Sequence, residues 1–258
     1  MYEHRFIAFI DILGFGALVE SSANDKNIQK SIFEALKSIQ SDKLGEDLYA
    51  QVNEELVPQA ELEEVKEILN LFKREMNEVS PVTITYFSDS LVISAPDDDV
   101  VAAQLVIDLV IKIKIKMWSD HSLLIRGGIT HGDLTHIGGG PLFGPAMNRA
   151  YYLESKVAKF PRVLIDDSCL DKYRKVRTFD LFESSIKCDG ENSYISLATA
   201  LCHTVTDSSL VLSGEHVIKP FRDIYETAPY KLKAIASSHV DEKIKGKYLW
   251  LLSEFSGG

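Results

Sequence analysis

The chain is predicted to fold as an α+β domain, a mostly antiparallel sheet with two helices on one face. Three observations lead there. Short β-branched and aromatic runs alternate with longer amphipathic stretches in the order β-α-(insert)-β-β-α-β. Over 258 residues, 45% are hydrophobic and 26% charged, enough for one sizeable core. Turn-forming residues punctuate the runs where a hairpin and a helix start are needed.

The elements follow in order. Arg5 to Leu13 reads as the first strand, rich in Ile and Phe, with Asp11 inside it and Gly14 and Gly16 just after. Gly14 to about Gln40 is helical, with Ile28, Ile32, Phe33, Leu36 and Ile39 on one stripe. From about Ser41 to Ser80 the chain turns acidic and helical, with Leu62, Val65, Ile68, Leu69 and Phe72 in register between Pro58 and Pro81. This stretch is expected to be an inserted helical element. Val82 to Ala95 is a hairpin around "SDS", and "PDDD" then supplies a helix N-cap and acidic first-turn residues. A strongly apolar helix runs from Val100 to about Trp118. It includes "IKIKIK", which alternates like a strand but sits in a helical context and reads as a buried helix with its lysines at the rim. "LLIRGGITHGDL" is the fourth strand, where Gly127 and Gly128 suggest close backbone approach. "GGGPLFGPAMNRAYYLESKVA" is a loop entering a helix with Pro145 at its first position, and "RVLID" is another strand. Beyond Asp166 the signals weaken to a hairpin around Asp189-Gly190 and a final amphipathic helix in "DEKIKGKYLWLLSEF". The expected organisation is a single domain, 1–258, with a core at about 5–166, an insert at about 41–80 and a C-terminal extension at about 167–258.

The net charge of −10 argues against nucleic acid as a partner, since phosphate backbones need a basic face. One small anion held by amides and cations remains compatible. Cys169, Cys188 and Cys202 have no CxxC spacing and are odd in number, which speaks against a disulfide framework and for a reducing, cytoplasmic setting. The apolar run Phe6 to Val19 is too short to span a bilayer and lacks the flanks of a signal peptide, so no membrane association is expected.

In a βαββαβ sheet the first strand and the central hairpin lie side by side. Asp11 ends the one and Asp89 sits at the tip of the other, so the two meet at one sheet edge. Two such carboxylates repel. A pair of Mg²⁺ or Mn²⁺ ions compensates them, since hard cations favour carboxylate and phosphate oxygen. The amides of Leu13, Gly14, Phe15 and Gly16 open a helix N-terminus, which favours phosphate. Taken alone, each acid also reads as a turn or cap residue.

"FIDILGF", "TYFSDSLVIS", "IRGGITHGDL" and "FGPAMNRAYYLES" together resemble, in order, motifs of the class III nucleotidyl cyclases. The resemblance spans about Phe6 to Ile165 and implies a ferredoxin-like domain. It implies two divalent metal ions held by Asp11, Asp89 and the Ile12 carbonyl, with Asn148 orienting the ribose. It also implies a homodimer with composite active sites acting on a nucleoside triphosphate. The pattern departs at three positions. The family's purine-reading lysine falls on Thr85, its base-reading acid on Pro141, and its transition-state arginine on Tyr152. Arg126, Arg149 and Lys156 are the candidate replacement cations.

With both acids kept, the chain looks like the pyrimidine cyclases of bacterial antiphage defence, where a "KYLWLL"-like C-terminal helix is familiar. Thr85, Tyr86 and Pro141 would then face the base. Tyr86 reads equally as a stacking residue and as a core strand tyrosine. UTP, giving 3′,5′-cyclic UMP, is the first expectation and CTP the second. A purine cyclase and a catalytically silent nucleotide-binding module stay open. "HGDLTH" (His131, Asp133, His136) reads as an exposed polar segment before it reads as a metal site. "GGGPLFG" lacks the Lys-Ser/Thr of a P-loop and reads as an active-site loop.

Overall fold

The computed structural model describes residues 1–40, 59, 63, 82–98, 100–175, 183–206 and 215–256. The insert stripe, its bracketing prolines and Asp99 of "PDDD" lie outside the described residues. Strand β1 (Glu3–Ile12) is followed by helices α1 (Phe15–Ser22) and α2 (Lys26–Gln40). The hairpin β2 (Thr83–Phe87) and β3 (Ser90–Pro96) leads to α3 (Val100–His121) and β4 (Ile125–His136). These strands stand in the order β2-β3-β1-β4, each neighbouring pair antiparallel. This is the ferredoxin-like arrangement expected from the sequence.

The chain continues through β5 (Leu142–Phe143), α4 (Pro145–Tyr152), a π-helical turn at Leu153–Val157, and β6 (Val163–Ile165). Strand β6 extends the sheet and pairs parallel with β4. Helix α5 (Asp167–Tyr173), strands β7 (Lys187–Cys188) and β8 (Ser193–Ile195), and helices α6 (Leu197–Thr206), α7 (Glu215–Ser238) and α8 (Glu242–Glu254) complete the description. Among the described residues no helix is long and apolar enough to cross a membrane.

Strand β1 lies between β3 and β4 and both its faces are covered. Phe6, Ala8, Ile10 and Ile12 enter the main core under α2 and α3, where Trp118 and Met117 are wholly enclosed. Ile7 and Phe9 point the other way and meet Ala146 and Ala150 of α4. Alternation along the strand therefore puts Asp11 on the α4 face. Burying each such Ile or Phe contributes roughly 1.5–3 kcal/mol, so the strand ends on a stiff support.

Three sequence expectations are sharpened. The run after Gly14 is two helices, because Asp25 caps the second by accepting from the amides of Asn27 and Ile28 at 2.8 and 3.3 Å. "IKIKIK" is helical as expected, but Lys114 is not at the rim: it is buried, its ammonium donating to the carbonyls of Ile125 and Pro161 at 3.0 and 3.1 Å. The C-terminal extension contributes strands to the same sheet and a long α7, which holds Pro220 and Pro229 within it.

Candidate active site

One cross-strand row defines the site. Phe87 pairs with Ser90, Ser90 with Asp11, and Asp11 with Arg126. Residues paired directly across strands share a face, so all four lie toward α4. The hairpin turn beside them is tight. Ser88 takes a left-handed φ of 52°, uncommon for a residue with a side chain, and the Asp89 carbonyl accepts from the Ile12 amide at 3.2 Å. That bond ties the turn to the end of β1 and brings Asp89 close to Asp11.

The electrostatics are strained. Burial raises the Asp11 pKa and repulsion from Asp89 raises it further, while Arg126 pulls it back down. The guanidinium donates to Asp11 Oδ2 from Nε and Nη2, both at 3.4 Å, and Ser90 Oγ donates to Oδ1 at 3.4 Å. Arg126 Nε also lies 2.6 Å from Oε1 of Glu154, a residue only 3% exposed. Burial pushes Glu154 up to about 7, Arg126 works against this, and Asp11 adds to it. Two carboxylates thus share one guanidinium, with Asp89 close to both acids. From α8, Lys247 stands near enough to Arg126 for the two cations to repel, which with burial lowers the lysine's pKa.

Gly14 caps α1 at a φ of 81°, and α1 begins directly after the Asp11-Ile12 end of β1. The amides of Phe15 and Gly16 are first-turn donors that a helix leaves without an internal acceptor. Leu13 differs from the expectation, because its amide already donates to the Leu124 carbonyl at 2.8 Å. The Leu13 amide is therefore taken up by the fold, while Gly14 caps α1 with no side-chain bond at that helix start.

Other expected residues are placed apart from the row. Tyr86 pairs with Leu91 and packs in the main core, on the sheet face opposite Asp11. It is the core strand tyrosine, and the hairpin aromatic on the acids' face is Phe87, 47% exposed. Thr85 shares the acids' face, but its hydroxyl is bound to His136 Nε2 at 2.8 Å. The His136 Nδ1 faces Ser94 Oγ at 2.8 Å, which in turn accepts from Arg5, and burial then Arg5 lower the imidazole to about 4. Pro141 is exposed, in the loop whose Gly138 sits over Thr83. Arg149 is held by Asp166 through bonds of 2.8 and 3.0 Å, and Asp166 also accepts from Thr130, four residues beyond Arg126 on β4. That separation is roughly 13 Å along the strand, so Arg149 is committed elsewhere. Asn148 and Tyr152 are exposed on α4, and Asn148 lies about 9 Å along the helix axis from Glu154.

"HGDLTH" does not converge as a cluster. His136 is buried in the network above, His131 pairs with Asp97 at 2.9 Å, and Asp133 faces His4 at 3.4 Å. His4, Asp97 and His131 do bring ligand-type atoms within 4.8 Å of one another. Lys172 supplies the cation there, bonding Asp97 and standing 3.0 Å from His131.

Glu154 and Phe87 were not singled out from the sequence. Alternation counted back from the two-residue turn was the available signal for Phe87. Glu154 carried none, because its inward aim comes from a π-helical turn.

No protein-family profile matches the chain, and no curated protein matches it. Among solved structures, the chain is similar to the monomeric guanylyl cyclase domain of the RhoGC fusion protein from the aquatic fungus Blastocladiella emersonii. Identity is 19%, the TM-score is 0.46, and the match covers 75% of this chain and 95% of that one. It is also similar to the adenylyl cyclase CyaB from P. aeruginosa, at 15% identity and TM-score 0.44, covering 76% and 94%. A third is the catalytic core of a rhodopsin-guanylyl cyclase with converted specificity in complex with ATPalphaS, at 17% identity and TM-score 0.43, covering 76% and 96%.

Proposed function

We propose that this chain is a metal-dependent nucleotidyl cyclase working as a homodimer. In this reading it converts UTP to 3′,5′-cyclic UMP and pyrophosphate, as a signal in antiphage defence. One observation carries the reading. Asp11 and Asp89 converge at a stiff strand end, beside a helix whose first-turn amides are open to an anion.

The residues fit a pair of divalent cations. Asp11, Asp89 and Glu154 lie close to one another with Arg126 and Lys247 as the nearby cations, an excess of negative charge, and Asp11 is desolvated and repelled as it stands. Asp11, Asp89 and the Ile12 carbonyl would hold Mg²⁺ or Mn²⁺. When bound, such ions offset the carboxylates, acidify the ribose 3′-hydroxyl and draw in the triphosphate.

The chain's own groups do the rest. The Phe15 and Gly16 amides hold phosphate oxygens without adding basic side chains, which suits a chain of net charge −10. Arg126 and Lys247 are the cations in reach of charge developing on the leaving pyrophosphate. The 3′-oxygen forms a bond to the α-phosphorus as the bond to the bridging oxygen breaks, and the hydroxyl proton passes to solvent. Asn148, exposed on α4, suits a ribose contact across a dimer interface. The exposed Phe87 suits stacking on a single-ring base.

Asp11→Ala and Asp89→Ala are each expected to abolish turnover while the dimer persists in light scattering. Substantial activity left in either variant would remove the metal assignment.

A further inference from the structure

Glu154 stands out among the groups outside the expected site. Its chain segment is a π-helical turn, closed by a bond of 2.8 Å from the Ala158 amide to the Leu153 carbonyl. One extra residue in a turn rotates the following side chains, and such bulges concentrate at functional sites. The turn can lie this close because Gly128 has no side chain: a Cβ there would stand 2.5 Å from Leu153 Cβ. The outcome is a carboxylate 3% exposed, turned toward Asp11 and Asp89 rather than to solvent.

Its Oε1 receives no hydrogen bond. Arg126 Nε is 2.6 Å away as an ion-pair contact, but its N–H is not aligned on that oxygen. Buried carboxylate oxygens nearly always have a donor or a cation. Here the single guanidinium is divided between Asp11 and Glu154.

We infer that Glu154 is a third carboxylate ligand of the divalent-metal clamp, joining Asp11 and Asp89, and that Arg126 is the counter-ion that holds the acids together until metal takes its place. This rests on the reading of Asp11 and Asp89 as a metal centre. Once displaced, the guanidinium is free to meet phosphate.

The test is Mn²⁺ binding to the full chain without nucleotide, measured by calorimetry and by the paramagnetic resonance of free Mn²⁺. Glu154→Gln keeps the shape and removes the charge. Its Mn²⁺ affinity is expected to fall on the order of tenfold or more, with the metal-free thermal midpoint unchanged or raised. Arg126→Gln is expected to leave Mn²⁺ affinity unchanged or higher. An affinity within about twofold of wild type for Glu154→Gln overturns the inference. If Asp11→Asn loses binding in the same series, the clamp itself still stands. An equal loss in Arg126→Gln makes Glu154 a structural ion-pair partner and also overturns it. A wild-type chain that binds no Mn²⁺ overturns both readings. Should Glu154→Gln fail to fold, Glu154→Asp retracts the charge by one methylene and carries the same expectation.

Discussion

Replacing Gly128 by alanine tests how β4 positions the acid cluster. The new Cβ would stand 2.5 Å from Leu153 Cβ and 2.7 Å from the Ala150 carbonyl oxygen. Ordinary contact is about 3.5–4.0 Å, so the gap is short by roughly 1 Å. Neither atom belongs to the far end of a flexible side chain, so the end of α4 and the π-helical turn must lift off the sheet. Overpacking of this kind costs about 1–3 kcal/mol. For a chain of this size that lowers the thermal midpoint by roughly 3–10 °C. Because Glu154 rides on the same turn, Mn²⁺ affinity should fall as well. Gly246→Ala is the matched control: nothing lies within 4 Å of its position in α8. Removing a helix-interior glycine should there add about 0.5–1 kcal/mol. Circular-dichroism melts of the two variants should shift in opposite directions. A Gly128→Ala midpoint equal to wild type would refute the close-packing argument.

Further outcomes follow from the same structure. Burial lowers Lys114 to about 7, so between pH 7 and the ordinary lysine range the unfolded chain binds the extra proton and stability rises with pH. Its share of that slope is at most about 1.4 kcal/mol per pH unit. Lys114→Met should therefore flatten stability against pH in guanidinium titrations between pH 7.5 and 9.5, and parallel curves would exclude the assignment. The raised pKa of Asp11 means the folded chain holds its proton longer, so the metal-free protein loses stability as pH rises from the ordinary carboxylate pKa through the raised one. Asp11→Asn should remove this loss while abolishing turnover, and a less stable metal-free variant would contradict the repulsion argument. Phe87→Ala should raise KM several-fold and leave the melt nearly unchanged, whereas Tyr86→Ala should cost about 1–3 kcal/mol with KM retained. The reverse pattern in kinetics and melts would restore Tyr86 to the site.

The sheet was legible because its strands are written as contiguous apolar or alternating runs. Strand β1 carries buried residues toward both layers, and the Gly127-Gly128 pair signalled the close approach now seen under Leu153. The acids were legible as types, and their meeting followed from strand order. The faces were readable too: the turn of Ser88 and Asp89 fixes Phe87 opposite Ser90, which sends Tyr86 into the core. Three features had no local signal. A π-helical turn has no compositional mark, so Glu154 read as one more polar helix residue. The taken Leu13 amide depends on Leu124, distant in sequence. Helix α7 contains Pro220 and Pro229, which argue against a continuous helix by local rules, yet Ala228, Leu232 and Ala236 are buried along it.

The most direct measurement incubates the purified chain with Mn²⁺ and each of the four ribonucleoside triphosphates in turn, with products weighed by mass spectrometry. Pyrophosphate and 3′,5′-cyclic UMP are expected from UTP, both absent in Asp11→Ala and Asp89→Ala. Dominant cyclic AMP or cyclic GMP would contradict the pyrimidine reading alone. No pyrophosphate from any of the four would contradict the cyclase itself.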